Sequence, residues 1–153
     1  MQSSHAKAFE VLFSDEALSI AKEQELKLPP SESPECLECH TVGYGEGGYE
    51  VLGDSFWNAS KEDKAAQKLI KRMNGLKNVG CEMCHGAGSG YMKKKTMKAV
   101  YAGEISADEI GLVTKTPEET CLKCHNDRSP SFKSFNYEER LAEISHPFPE
   151  GME

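Results

Sequence analysis

The sequence predicts a mainly α, loop-rich fold, and three observations carry that prediction. Apolar residues recur at helical spacing in several stretches, clusters of Pro and Gly interrupt them, and no alternating strand pattern runs longer than a few residues. A share of 38% apolar residues in a chain of 153 is lean for one core, so something besides side chains is expected to fill the interior. That length suits a single domain over residues 1–153.

Taken in order, residues 4–28 place Phe9, Leu12, Phe13, Leu18, Ile20 and Leu26 near helical spacing, with Ser4 and Ser14 as N-cap candidates and Pro29 and Pro30 as the stop. Residues 31–60 are rich in Pro, Gly and Ser, above all the glycine-rich stretch 43–48, and predict irregular structure. Ser60 begins a helix running through Leu69 and Ile70 to Asn74, where Gly75 supplies the C-terminal stop. After the loop 86–90, a helix over residues 91–101 ends at Gly103, and Ser106 with Glu109 forms a capping box for a short turn. Thr116, Pro117 and Glu119 combine an N-cap, a proline at N1 and an acid at N3, predicting a further helix start. Asn136 and Glu139 cap a last helix through Leu141 and Ile144, which must stop near His146 because Pro147 follows.

The formal net charge is −7 with the acids spread along the chain, which argues against nucleic acid as the main partner. One basic run, Lys93, Lys94, Lys95 and Lys98 beside Tyr91 and Met92, reads either as a solvated helix face or as a surface meeting an acidic partner. No run of eighteen apolar residues exists, and no basic start followed by an apolar stretch precedes the body, so a membrane span is not expected and the chain reads as processed or trimmed.

The chemistry lies in the cysteines. All six fall in three motifs, Cys36-Leu37-Glu38-Cys39-His40, Cys81-Glu82-Met83-Cys84-His85 and Cys121-Leu122-Lys123-Cys124-His125, which recur at a spacing of roughly forty residues. On a helical turn, residues three apart share a face, so both thiols reach the two vinyl groups of one haem edge and the adjacent histidine binds the iron. With five histidines in the chain, chance would follow all three pairs with histidine roughly once in thirty thousand. Zinc sites and redox dithiols use the same residue types, but three pairs make an awkward tetrahedral set and a dithiol has no need of a histidine after each second cysteine. The expectation is therefore three covalently attached haem c groups forming much of the core of a multihaem cytochrome c. Such attachment needs reduced thiols and secure haem, which places the protein in the periplasm or at the cell surface.

Three proximal histidines leave only His5 and His146, so at most two of three irons can take a second histidine. His5 reads as a distal ligand or as a solvent-exposed neighbour of a cap, and His146 as a distal ligand or as a favourable charge at a helix C-terminus. The remaining iron takes a methionine (Met73, Met83, Met92 and Met97 are available), water, or nothing.

These residues resemble the cytochrome c-554 family, tetrahaem electron carriers associated with hydroxylamine oxidation in ammonia-oxidising bacteria. The resemblance spans nearly the whole chain and is carried by His5-Ala6-Lys7-Ala8 with Leu12, by Cys36 to Gly43 running on to Gly47, Gly48 and Tyr49, and by Val79-Gly80-Cys81-Glu82-Met83-Cys84-His85-Gly86-Ala87-Gly88. It implies that His5 is distal ligand to the haem on His85, that His146 serves the haem on His125, and that the haem on His40 is high-spin and five-coordinate. Two family features are missing together: a Cys-x-x-Cys-His upstream of His5 and the histidine after the glycine loop, since residues 91–98 contain none. That joint loss implies a three-haem relative, unless a fourth motif precedes residue 1 in a longer parent.

Two functions follow as expectations. The first is an electron carrier, not an enzyme, passing electrons from one redox protein to another through three haems. The second is binding or reduction of nitric oxide or a related nitrogen oxide at the open haem of His40, near which only Glu38, Glu46 and Tyr44 offer proton-bearing groups, each read first as a surface or packing residue. A structural module of a larger assembly, with self-association, is a third.

Overall fold

A computed structural model of the chain describes residues 3–146. Eight α-helices follow one another among them: α1 (Asp15–Glu23), α2 (Pro34–His40), α3 (Asp54–Trp57), α4 (Lys64–Gly75), α5 (Cys81–His85), α6 (Lys94–Tyr101), α7 (Glu118–Leu122) and α8 (Tyr137–Ile144). Short 3-10 turns occupy Ser4–Lys7, Glu10–Phe13, Gly88–Gly90 and Asp108–Ile110. Among the described residues the only β pairing is an isolated bridge between Thr41 and Lys77, so the fold is mainly helical and loop-rich.

The helix expected over residues 4–28 is divided. Ser14 adopts extended backbone, and its hydroxyl accepts the Ala17 N–H at 3.1 Å while donating to the Val11 carbonyl at 2.7 Å. The serine thus caps α1 and closes the preceding turn, and a residue doing both cannot continue one helix. At the other end Glu25 takes a left-handed φ of 53°, so the chain leaves the helix before Pro29. The next helix starts later than Ser60. Asp63 supplies the cap, its Oδ1 accepting from Ala65 and Ala66 at 3.1 and 3.0 Å, while Ser60 bonds to Glu62.

Two other caps are used differently from expectation. The turn Asp108–Ile110 starts from Ala107 with no side-chain cap, so the Ser106 and Glu109 box is not formed. Thr116 does not cap α7; its hydroxyl donates to the Cys84 carbonyl at 3.2 Å. The last helix follows its sequence signal: Asn136 Oδ1 accepts the Glu139 N–H at 3.2 Å, and α8 ends before His146.

The chain divides into two compact units, residues 1–80 and 81–153. The first is built on one apolar cluster of Phe9, Leu12, Leu37, Val42, Tyr49, Met73 and Leu76, against which Cys36, Tyr44, Phe56 and Trp57 pack. Its glycine loop folds back tightly, because a Cβ on Gly48 would sit 2.3 Å from the Val42 carbonyl oxygen. In the second unit the only buried large apolar side chains among the described residues are Tyr91 and Leu112. Here α5 packs against α7.

Candidate haem attachment sites

The first two motifs lie on α2 and α5, which places the two thiols of each on one face, whereas the third starts at the end of α7 and leaves the helix after Leu122. In the first, Ser33 and Pro34 start α2, and Leu37, between the two cysteines, is fully buried. Thr41 is equally buried and donates its hydroxyl to the Leu37 carbonyl at 2.7 Å. The next residue, Val42, donates its N–H to the Leu76 carbonyl at 2.8 Å, tying the exit of α2 to the end of α4. His40 is held from far away in sequence: its Nδ1 bonds to the Ala8 carbonyl. A carbonyl can only accept, so Nδ1 carries the proton and Nε2 keeps its lone pair for a metal.

The second motif repeats the device with a different partner. His85 Nδ1 donates to the Val113 carbonyl at 2.6 Å, and Val113 returns its own N–H to the His85 carbonyl at 3.0 Å. Gly86 permits this close approach, with φ 79° and a hypothetical Cβ only 2.9 Å from the Gly111 oxygen. Glu82 Oε1 accepts the Gly88 N–H, and Tyr91 donates to the Gly86 carbonyl, so the turn after the motif is bonded on both sides.

In the third motif, α7 contributes Cys121, and the helical bond from the His125 N–H to the Cys121 carbonyl, 2.9 Å, carries the turn through Cys124. The His125 ring stacks on Phe135, with centroids 4.5 Å apart and planes 15° from parallel. Tyr137 of α8 donates to the Thr116 carbonyl, which fastens the last helix beside α7.

None of the cysteines is in a disulfide. Burial pushes the Cys36 thiol up, with Glu35 and Cys39 adding to the effect; burial and Cys81 raise Cys84 against a bond from Thr116; burial, Cys84 and Glu118 raise Cys121. Dithiol catalysts need the opposite shift. A closed zinc site needs about four donors at one point. Among the described residues no three His, Cys, Asp or Glu side chains gather in that way. The donor set fits haem c instead: paired thiols three residues apart and an adjacent histidine, whose outer nitrogen is already bonded at His40 and His85, the arrangement that orients a metal-binding imidazole.

The other predicted ligands are placed as follows. His5 lies in the turn Ser4–Lys7, half-buried, and desolvation holds its pKa below the ordinary value, which favours the neutral, metal-binding form. Its carbonyl accepts the Val79 N–H at 3.1 Å, two residues before Cys81. His146 is exposed, with its ring centroid 5.9 Å from that of His85 and the planes at 67°. Of the methionines, Met73 is in the first unit's core and Met92 is 75% exposed. Glu38, Glu46 and Lys93, Lys94, Lys95 and Lys98 all face solvent, while Tyr44 packs against the core.

Sequence reasoning missed the second tier of residues: Ala8, Val113, Phe135 and Thr116. Ala8 and Val113 act through backbone carbonyls, which leave no trace in side-chain pattern; the Thr116 signal was legible but its partner was not.

Among curated protein sequences and among solved structures, nothing matches the chain. The family described as cytochrome c554 and c-prime matches residues 1–86, which takes in His5 and the whole of the first two motifs. With more than half its length so matched, the chain belongs to the cytochrome c554 family of c-type haem electron-transfer proteins.

Proposed function

We propose that this cytochrome carries three haem c groups, on Cys36, Cys39 and His40, on Cys81, Cys84 and His85, and on Cys121, Cys124 and His125, and relays electrons between two redox proteins outside the cytoplasm as one three-haem domain. The observation that carries the reading is the shared anchoring of His40 and His85, each through Nδ1 to a distant backbone carbonyl. Bound haem iron supplies reversible one-electron chemistry. The chain's own part is to keep each imidazole oriented, to limit solvent and to set the spacing. Spacing is supported by the packing of α5 on α7, close enough for Cys84 to raise the Cys121 thiol. Among the described residues no helix is long and apolar enough to cross a membrane.

His5 and His146 complete two of the irons in this reading. His5 at the haem of His85 is the pairing that the resemblance implies. A second pairing is favoured by the ring distance between His85 and His146. Both rings would then belong to the set that holds one iron. Only one of His5 and His146 can take that position.

The ligand count leaves one iron without a second histidine, which favours small-ligand binding at the haem of His40 as a further reading. Glu38 and Glu46 are both exposed, so the reading is ligand binding, with reduction as its alternative.

Intact mass should show three haems linked by six thioethers, and magnetic resonance of the ferric protein should count two low-spin irons and one high-spin iron. His5→Ala converts the iron on His85 to high spin if His5 is its ligand; if His146→Ala does so instead, the pairing is the second one. Fewer than three haems in the mass spectrum sinks the three-haem relay.

A further inference from the structure

The bond that orients His40 does not end at Ala8. The Ala8 carbonyl and the Phe9 N–H are two ends of one peptide group. The first accepts from His40 Nδ1, and the second donates to Asn78 Oδ1 at 2.7 Å, partly buried and 69 residues away in sequence. A single amide is therefore hydrogen-bonded at both ends, to a haem-motif histidine on one side and to Asn78 on the other. Donation through N–H polarises an amide and makes its oxygen a better acceptor. A better acceptor draws the Nδ1 proton away from the ring, raises the basicity of Nε2 and favours the more highly charged state of a bound metal.

Asn78 is held for this purpose by its neighbours. It has a left-handed φ of 70°, a region that asparagine enters more readily than most residues. On one side Lys77 pairs with Thr41, the residue after His40, and its ammonium lies over the rings of Phe9 and Trp57 at 5.2 and 4.4 Å from their centroids. On the other, the Val79 N–H is bonded to the His5 carbonyl. Residues 77–79 thus grip the segment 5–9 at both ends, with the Asn78 amide between.

We propose that Asn78 is a positioning residue for the haem on His40: by holding the Phe9 N–H it strengthens the His40 hydrogen bond and lowers that haem's reduction potential. The proposal rests on haem attachment at His40, so intact mass of the holoprotein is measured first; a missing haem there defeats the attachment, and only a result on the loaded protein bears on Asn78.

The test uses Asn78→Gly, which keeps the left-handed backbone but removes the acceptor, and Asn78→Asp, which keeps the shape and strengthens it. Potentials of the separate haems are titrated spectroelectrochemically, and exchange of the His40 Nδ1 proton is followed by NMR in the reduced state. Asn78→Gly should shift the His40 haem to higher potential and speed exchange of that proton. Asn78→Asp should shift the potential downward and slow exchange. The haems on His85 and His125 should move less than that of His40 in both variants. A merely structural or long-range electrostatic role would move potentials without changing proton exchange, and that result overturns the proposal, as does an unshifted His40 haem. If the glycine variant fails to assemble, the aspartate variant decides by the same pair of readings.

Discussion

At the scale of single residues, the first two motifs are held together by backbone carbonyls acting on side chains from some thirty residues away. Ala8 is separated from His40 by 32 positions and Val113 from His85 by 28. In both cases the carbonyl fixes the tautomer, and with it the ring nitrogen left open for a metal. Leu37 does complementary work at the first motif, because a side chain with no exposed surface between two half-buried cysteines sets how deeply α2 seats in the core. Leu37→Ala should lower the stability of the holoprotein by about 2–5 kcal/mol, read from denaturant midpoints, and shift the spectrum of the haem on His40 before the others. An unchanged midpoint would mean that the attached haem, not Leu37, seats the helix.

At the scale of elements, the motif helices α5 and α7 have five residues each, too short to persist alone in water. They are maintained by bonds from outside themselves, such as Thr116 to the Cys84 carbonyl and Tyr137 to that of Thr116. The longer helix α4 is different. It has twelve residues, a two-bond cap at Asp63 and a face carrying Met73 into the core. Asp63→Ala should cost about 1 kcal/mol of stability in thermal or denaturant melts while leaving every haem potential in place. A changed potential would place α4 closer to the electron path than its cap suggests.

At the scale of the whole molecule, the two units differ in what their side chains alone can support. Residues 1–80 bury a cluster of seven apolar side chains, whereas residues 81–153 bury only Tyr91 and Leu112 of that kind among the described residues. Local stability follows buried apolar contact. In a chain whose six cysteines are replaced by serine, so that no haem attaches, hydrogen exchange should show the amides of α5, α7 and α8 unprotected while those of α4 keep measurable protection. Equal protection in both would show that haem contributes nothing to the second unit's order. The formal charge of −7 belongs to this scale as well and keeps the acidic surface soluble rather than selecting a fold.

Much of this was legible without coordinates. The helical class, α4, α8 and the three candidate attachment turns follow from periodicity, cap residues and spacing, all properties of residues close together in the chain. The family was readable in the strings around His5, Cys36 and Cys81, and the matched span of residues 1–86 contains all three. Helix starts were less readable: Ser14, Ser60 and Thr116 are all sound caps on paper, yet Ser14 divides a helix, Ser60 turns to Glu62 and Thr116 reaches Cys84. A hydroxyl has several acceptors of similar energy within reach, and packing chooses among them.

Residue chemistry and local order by themselves determined the kind of protein this is, because cysteine pairs followed by histidine state their purpose within five residues. Tertiary structure alone decided which carbonyl orients His40 and His85, that Asn78 grips the Ala8–Phe9 peptide, and that His146 lies beside His85. Those are meetings between segments tens of residues apart, and a backbone carbonyl has the same chemistry at every position until folding brings one of them to the ring.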